Sequence, residues 1–306
     1  MKISVIGAGN VGSITAMRLA QENLGETVLV DIVKGLAEGK SLDLEDARAV
    51  LKFNYSIQGS DSIEAIKGSD LVIITAGLTR KPGMSREELL VKNAQILKET
   101  CGQIKKLSPQ ALVIVVTNPL DLMTRLALET TGFAARRVFG MGITLDAARF
   151  SNLISKELKI PNSDIEACVI GPHGEGMQPL SRFTNIKGVA LDEFLSEEKI
   201  NELIKRTVER GAQIVSLLGS GSAYFAPSAA IAALVKVIVK DEKRTIGVCA
   251  LLNGEYGIKG VCIGVPCRLG RTGIEEIIEL ELSKQEKEAL LASAGRLKEQ
   301  YNSLTA

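Results

Sequence analysis

The 306-residue chain has one histidine, His173. It stands in Gly171-Pro172-His173-Gly174-Glu175, where an apolar run through Val169 and Ile170 enters a glycine-bounded turn. Histidine titrates near neutrality and so suits proton transfer in catalysis. The plainer alternative is a histidine satisfied in a surface turn. Asp146 and Arg149 lie three residues apart in a helical stretch, a spacing that puts both side chains on one face. The aspartate suits holding an imidazole tautomer and stabilising its charged form, and the arginine fork suits gripping a carboxylate. An ordinary surface ion pair would have the same spacing. Arg80 and Arg86 belong to a loop over residues 77–86, whose glycines suit a closing lid. With Arg149 they make three cations, a set that fits a substrate with two carboxylates and one carbonyl. A solvated basic loop is the alternative.

These groups need a reaction partner, and the N-terminus supplies one. Residues 2–6 form an apolar run of strand length, followed by Gly7-Ala8-Gly9-Asn10-Val11-Gly12 and an amphipathic helical stretch. A second apolar strand ends at Asp31. Gly7 permits the turn off the strand, Gly9 lets a pyrophosphate approach the backbone, and Gly12 lets helix and strand pack closely. The helix start offers free N–H groups and the positive end of its dipole to phosphates. Asp31, about 20 residues past the glycines, suits an adenosine ribose. Its charge would repel the extra phosphate of NADP, so NAD is the expected cofactor.

The elements that position these residues follow a β-α-β rhythm in the first half. Helices are expected over about 35–50 and 85–107, the latter opened by the capping box Ser85-Arg86-Glu87-Glu88. Strands are expected near 53–57, 70–75, 111–116 and 137–139, two of them apolar on both faces. This predicts an α/β fold: a Rossmann doubly wound parallel sheet, with ligands at the C-terminal strand ends. Beyond residue 143 the pattern changes to helices over 144–158, 197–218, 227–239 and 284–302, with strand pieces at 245–252 and 260–265. We read two domains, an NAD-binding domain over 1–143 and an α+β substrate domain over 144–306.

Composition narrows the class. A formal net charge of +1 gives no electrostatic reason to expect nucleic acid or an acidic membrane as partner. Five scattered cysteines without a Cys-x-x-Cys pair, and one histidine, argue against a zinc site, so no metal is expected. Free thiols suit a reducing, cytoplasmic setting. The first strand begins at residue 2, so no signal peptide is expected. The longest apolar run, over 229–239, is short for a membrane span and carries Lys236.

Taken together, these motifs resemble the lactate/malate dehydrogenase family, in particular its lactate-dehydrogenase-like malate dehydrogenases. The likeness spans nearly the whole chain. It is carried by the glycine turn over 7–12, the loop over 75–86, Val116-Thr117-Asn118-Pro119-Leu120-Asp121, Leu145-Asp146-Ala147-Ala148-Arg149-Phe150 and the His173 turn. The resemblance implies an NAD-dependent oxidoreductase that interconverts (S)-malate and oxaloacetate. It implies that Gly7, Ala8, Gly9, Asn10, Val11, Gly12 and Asp31 hold NAD. Asn93, Val116, Thr117 and Asn118 would line the nicotinamide side, with Asn118 also meeting substrate. His173 would be the proton donor and acceptor, with Asp146 its partner. Arg149 would bind the carboxylate beside the reacting carbon, Arg86 would polarise the carbonyl, and Arg80 would bind the distal carboxylate. A cis Asn118-Pro119 bond and a homotetramer, or a homodimer, are further implications. Ala223 stands where lactate enzymes usually carry threonine. Glu175 and Pro172 depart from the family pattern beside the histidine. The rivals are a lactate dehydrogenase and a non-catalytic NAD-binding protein. Arg80 argues against the first, and the set His173, Asp146, Arg86 and Arg149 against the second.

Overall fold

The computed structural model describes residues 1–78 and 85–305, apart from the side chains of Arg86 and Thr305. Its first half alternates strands and helices: β1 (Lys2–Ile6), α1 (Asn10–Gln21), β2 (Glu26–Val30), α2 (Leu36–Leu51), β3 (Ile57–Ser60) and β4 (Leu71–Ile74). Then come α3 (Arg86–Leu107), β5 (Leu112–Val115), α4 (Leu120–Thr131), β6 (Val138–Gly140) and α5 (Ile143–Leu158). The six strands pair in parallel in the order β3-β2-β1-β4-β5-β6. The order reverses between β1 and β4, and ligands of such sheets bind at the carboxyl ends of the strands beside that reversal.

Side-chain alternation explains why these strands read as continuous apolar runs. Leu71, Ile73, Leu112 and Ile114 face one layer, while Val72, Ile74, Val113 and Val115 face the other. Helices cover both faces, so both sets are buried. The Ser85 cap of α3 is a complete capping box with Glu88, as its sequence predicts.

β3 corrects the expected strand at 53–57. Pairing with β2 begins only at Ile57, opposite Thr27, and runs on through Gln58, Gly59 and Ser60. Phe53 is buried with Ile57, Ala16 and Ala20 but lies ahead of the strand. An edge strand accepts such polar residues. Gly59 is needed there, because a Cβ would fall 2.2 Å from the Ala37 carbonyl oxygen of α2.

The second half holds short strands: β7 (Ile165–Glu166), β8 (Val169–Ile170), β9 (Gln178–Pro179), β10 (Asn185–Ile186) and β11 (Val189–Ala190). The helices α6 (Glu197–Leu218) and α7 (Phe225–Lys240) follow, then β12 (Arg244–Asn253), β13 (Lys259–Gly270), β14 (Gly273–Ile277) and α8 (Lys284–Thr305). The last three strands are antiparallel and join the parallel sheet through Cys249 of β12 opposite Gly140 of β6. One nine-stranded sheet therefore runs from β3 to β14. The apolar run over 229–239 lies inside α7, whose Ile231, Leu234, Val235 and Ile238 are buried in the same core as Ile3, Val5 and Leu29. Arg18 of α1 donates to Ser228 Oγ at 3.1 Å, tying the two halves further. Among the described residues no helix is long and apolar enough to cross a membrane.

Candidate active site

The glycine turn is built from close approaches. Gly7 has φ +106°, a conformation that favours glycine. A Cβ on Gly12 would fall 1.8 Å from the Gly7 carbonyl oxygen, so α1 packs against the turn as only glycine allows. A Cβ on Gly9 would meet no protein atom within 4 Å, so protein packing does not require that glycine. It leaves an open approach to the start of α1, where no side chain caps the first turn. This cradle fits a pyrophosphate. Replacing Gly12 with alanine is expected to weaken NADH binding at least about tenfold and to lower Tm. Overpacking of this kind costs about 1–3 kcal/mol. Fluorescence titration with NADH and a thermal melt check both effects.

The Ala8 peptide is held from both sides. Its N–H donates to Asp31 Oδ2 at 2.7 Å, and its carbonyl accepts from Lys40 Nζ at 2.7 Å and Ser13 Oγ at 3.0 Å. Asp31 Oδ1 accepts from the Val33 N–H at 3.0 Å. Asp31 thus orders the turn itself, and a carboxylate with about four acceptor positions has capacity left for ribose hydroxyls. Lys40 was not anticipated from sequence. In an amphipathic helix a lone lysine reads as a solvated charge, and only the fold brings it to residue 8.

A cavity of about 300 Å³ opens at the carboxyl ends of β1, β4 and β5. Val11, Asn93, Val116, Thr117, Asn118, His173 and Ala223 are among its lining residues. Asn93 is buried. Its Oδ1 accepts from Leu78 N–H at 2.7 Å, and its Nδ2 donates to the Asn118 carbonyl at 2.9 Å. It pins the start of the 77–86 loop to the end of β5. The Asn118-Pro119 bond is cis. A cavity of about 490 Å³ lies near Met1, Asp70 and Gln110, at the amino ends of the strands. Size alone does not mark the site; strand polarity and chemistry do.

His173 enters the cavity from a turn stapled to the sheet. Gly171 and Gly264 of β13 exchange two main-chain hydrogen bonds, at 2.9 and 3.0 Å. Gly171 and Gly174 have φ +95° and +98°. The imidazole Nδ1 is 2.7 Å from Asp146 Oδ2, and Asp146 Oδ1 accepts from Arg149 Nη1 at 2.9 Å. Asp146, in the first turn of α5, is fully buried; the side chains of Arg149 and His173 are 12% and 16% exposed. The i, i+3 ion pair is therefore present, but it is internal and shared with the histidine. Burial pulls the His173 pKa down. The charge and hydrogen bond of Asp146, helped by Asp121, outweigh that pull and hold the imidazole above its ordinary value.

Arg80 lies outside the described residues, as does the side chain of Arg86, whose backbone opens α3. The structure brings together the rest of the expected set: Gly7 to Gly12 and Asp31 on one side of the cavity, Asn93 and 116–118 along it, and His173, Asp146 and Arg149 beyond. Pro172 is buried and Glu175 exposed. Asp121 was also not anticipated as a site residue. Its Oδ2 accepts from the His173 main-chain N–H at 2.9 Å. The signal available in the sequence was an acid among Leu120, Leu122 and Met123, but acids are common in first helical turns. All five cysteines are free, and no group of metal-ligating side chains occurs among the described residues.

A phosphate cradle at a sheet reversal, facing a carboxylate-oriented histidine across one cavity, defines the class of dinucleotide-dependent dehydrogenases. The chain belongs to the lactate/malate dehydrogenase family: residues 1–140 match its NAD binding domain and residues 143–306 its alpha/beta C-terminal domain. A malate dehydrogenase of Methanosarcina mazei is 48% identical over 99% of both chains. The apo malate dehydrogenase structure from Picrophilus torridus superposes with a TM-score of 0.96 at 40% identity, covering 99% of this chain and 97% of that one. A lactate dehydrogenase from Eimeria maxima, solved with NADH and oxamate, also gives 0.96, at 37% identity, covering 100% of this chain and 94% of that one. The shared backbone therefore does not separate the two substrates.

Proposed function

We propose that this chain is an NAD-dependent malate dehydrogenase, which transfers a hydride reversibly between (S)-malate and NAD to give oxaloacetate and NADH. The observation that carries this reading is the 2.7 Å contact of the sole histidine with a buried aspartate at the dinucleotide cavity. The full-length identity to malate dehydrogenases supports the substrate. The bound dinucleotide supplies or accepts the hydride. The glycine turn and the uncapped start of α1 hold its pyrophosphate, and Asp31 its adenosine ribose. Asp146 fixes the proton on Nδ1, which leaves Nε2 to exchange a proton with the substrate oxygen. Arg149 grips the carboxylate beside the reacting carbon, Arg86 polarises the carbonyl, and Arg80 pairs with the distal carboxylate. Asn118, at the cavity, adds a polar contact to substrate. A reducing, cytoplasmic setting goes with this reading, and five free cysteines support it.

The test is an absorbance assay of NADH oxidation with oxaloacetate and, separately, pyruvate. Turnover of oxaloacetate well above pyruvate is expected. Preference for pyruvate would make the protein a lactate dehydrogenase, and no turnover of either a non-catalytic binder. The pH dependence has a definite sign. Reduction consumes a proton from His173, so its kcat/KM is full while the imidazole is protonated and falls as pH rises through the histidine's pKa. Because that pKa is raised, the midpoint lies above about 6.5. Malate oxidation needs the neutral imidazole and rises over the same interval. Two profiles that move together would refute the assignment of His173.

A further inference from the structure

Asp121 is a carboxylate that the proton-transfer mechanism does not use. It stands in the first turn of α4 and is 6% exposed. One oxygen, Oδ2, accepts the main-chain N–H of His173. The other, Oδ1, is buried without a hydrogen bond of ordinary geometry, and the Cys249 thiol of β12 is the polar group beside the carboxylate. Leaving a charged oxygen so poorly satisfied is expensive, and packing alone would be served better by leucine or asparagine. We propose that Asp121 is a second carboxylate of the active site, a positioning residue that anchors the His173 turn by its main chain while its charge supports the imidazolium.

Two contacts and a helix dipole favour the ionised form against burial. The groups that face Asp121 directly are donors, the His173 N–H and the Cys249 S–H, and the start of α4 contributes the positive end of its dipole. Burial does raise the Asp121 pKa, with the like charge of Asp146 adding to it, while the contacts to Cys249 and His173 pull it down. The wider field comes from several elements. Arg149 of α5 opposes the imidazolium and Asp146 of the same helix supports it, while Arg125 and Glu129 of α4, Lys259 of β13, and Lys298 and Tyr301 of α8 line the cavity behind Asp121, cations and an anion together. Asp146 and Asp121 thus hold His173 from opposite ends, one through the ring and one through the backbone. The sheet creates this arrangement, because α4 follows β5 while the His173 turn is stapled to β13.

The single histidine makes the test unambiguous, since one imidazole resonance reports its titration in the whole protein. In Asp121→Asn the amide oxygen still accepts the His173 N–H, but the charge is gone. The imidazole midpoint is expected to fall by about one pH unit. The falling limb of kcat/KM for oxaloacetate should shift with it, and NADH affinity should hold within about twofold. In Asp121→Ser, also neutral but too short for the clamp, kcat should fall as well, by about tenfold, the worth of one lost hydrogen bond to a charged group. A midpoint equal to wild type in either folded variant overturns the proposal and leaves Asp121 a structural helix-start residue. The inference rests on His173 as the proton carrier. The resonance titration needs no turnover, so an inactive wild-type enzyme would refute that reading separately while the midpoints still decide the role of Asp121.

Discussion

Replacing His173 with asparagine is expected to lower turnover of oxaloacetate by about 10²–10⁴-fold, the range of general acid–base catalysis. NADH binding should be unchanged, because the glycine turn, Asp31 and Asn93 lie on other elements. The histidine has no understudy: it is the only one in the chain. The introduced side-chain amide would retain a donor to the Asp146 carboxylate, which contacts His173 Nδ1 at 2.7 Å, so the buried acid stays partly paired and the fold survives. The variant loses the group that exchanges a proton at neutral pH. Single-turnover kinetics with NADH prebound separate the chemical step from binding. Near wild-type rates would show that another group, or water, delivers the proton.

Arg80→Gln is expected to lower kcat/KM for oxaloacetate by about 10²–10³-fold, with pyruvate turnover held or raised. Arg80 lies six positions before Arg86 in the sequence that follows β4. A guanidinium pairs with a carboxylate through two parallel hydrogen bonds, a fork that lysine does not reproduce. Hydrogen bonds to charged groups contribute about 1.5–3 kcal/mol, and a buried charge left without its partner costs about 3–5 kcal/mol. At about 1.4 kcal/mol per tenfold, these energies give the predicted range. Pyruvate carries no distal carboxylate and loses nothing. The deciding quantity is the oxaloacetate-to-pyruvate ratio of kcat/KM in wild type and variant. If that ratio is unchanged, the selecting cation lies elsewhere, Lys81 being the nearest candidate. Because malate- and lactate-dehydrogenase structures superpose on this chain equally well, this ratio, and not the fold, decides the substrate question.

Local rules reach far into this chain because several of its functional residues are also backbone requirements. Gly7 and Gly12 are legible as a phosphate turn since no other residue allows that φ and that approach. The strands over 71–74 and 112–115 announce a sheet covered on both faces by being apolar at every position. The Ser85 capping box marks the start of α3 to the residue. His173 stands out by being alone, and Asp146 and Arg149 by helical spacing. Each of these signals lies within a few residues of sequence, where sterics and hydrogen-bond geometry act directly.

Tertiary structure alone decided what depends on distant residues meeting. Spacing left Asp146 and Arg149 open to being a surface ion pair. Folding buried the aspartate and set the imidazole against its other oxygen, 27 residues along the chain. Lys40 gained a part only when α2 brought it to the Ala8 carbonyl, and Asp121 only when β13 carried the His173 turn to α4. The edge strand β3 was read a few residues early, at 53–57, and β14 was not read at all, because polar residues at a sheet edge leave no apolar pattern. The change of character after residue 143 says nothing of how the two halves join: β12 to β14 extend the same sheet and α7 shares its core. A strand's apolar residues record that it is buried, and its glycines record where the backbone must come close. Neither records which partner arrives, because pairing and charge complementarity are properties of two segments at once.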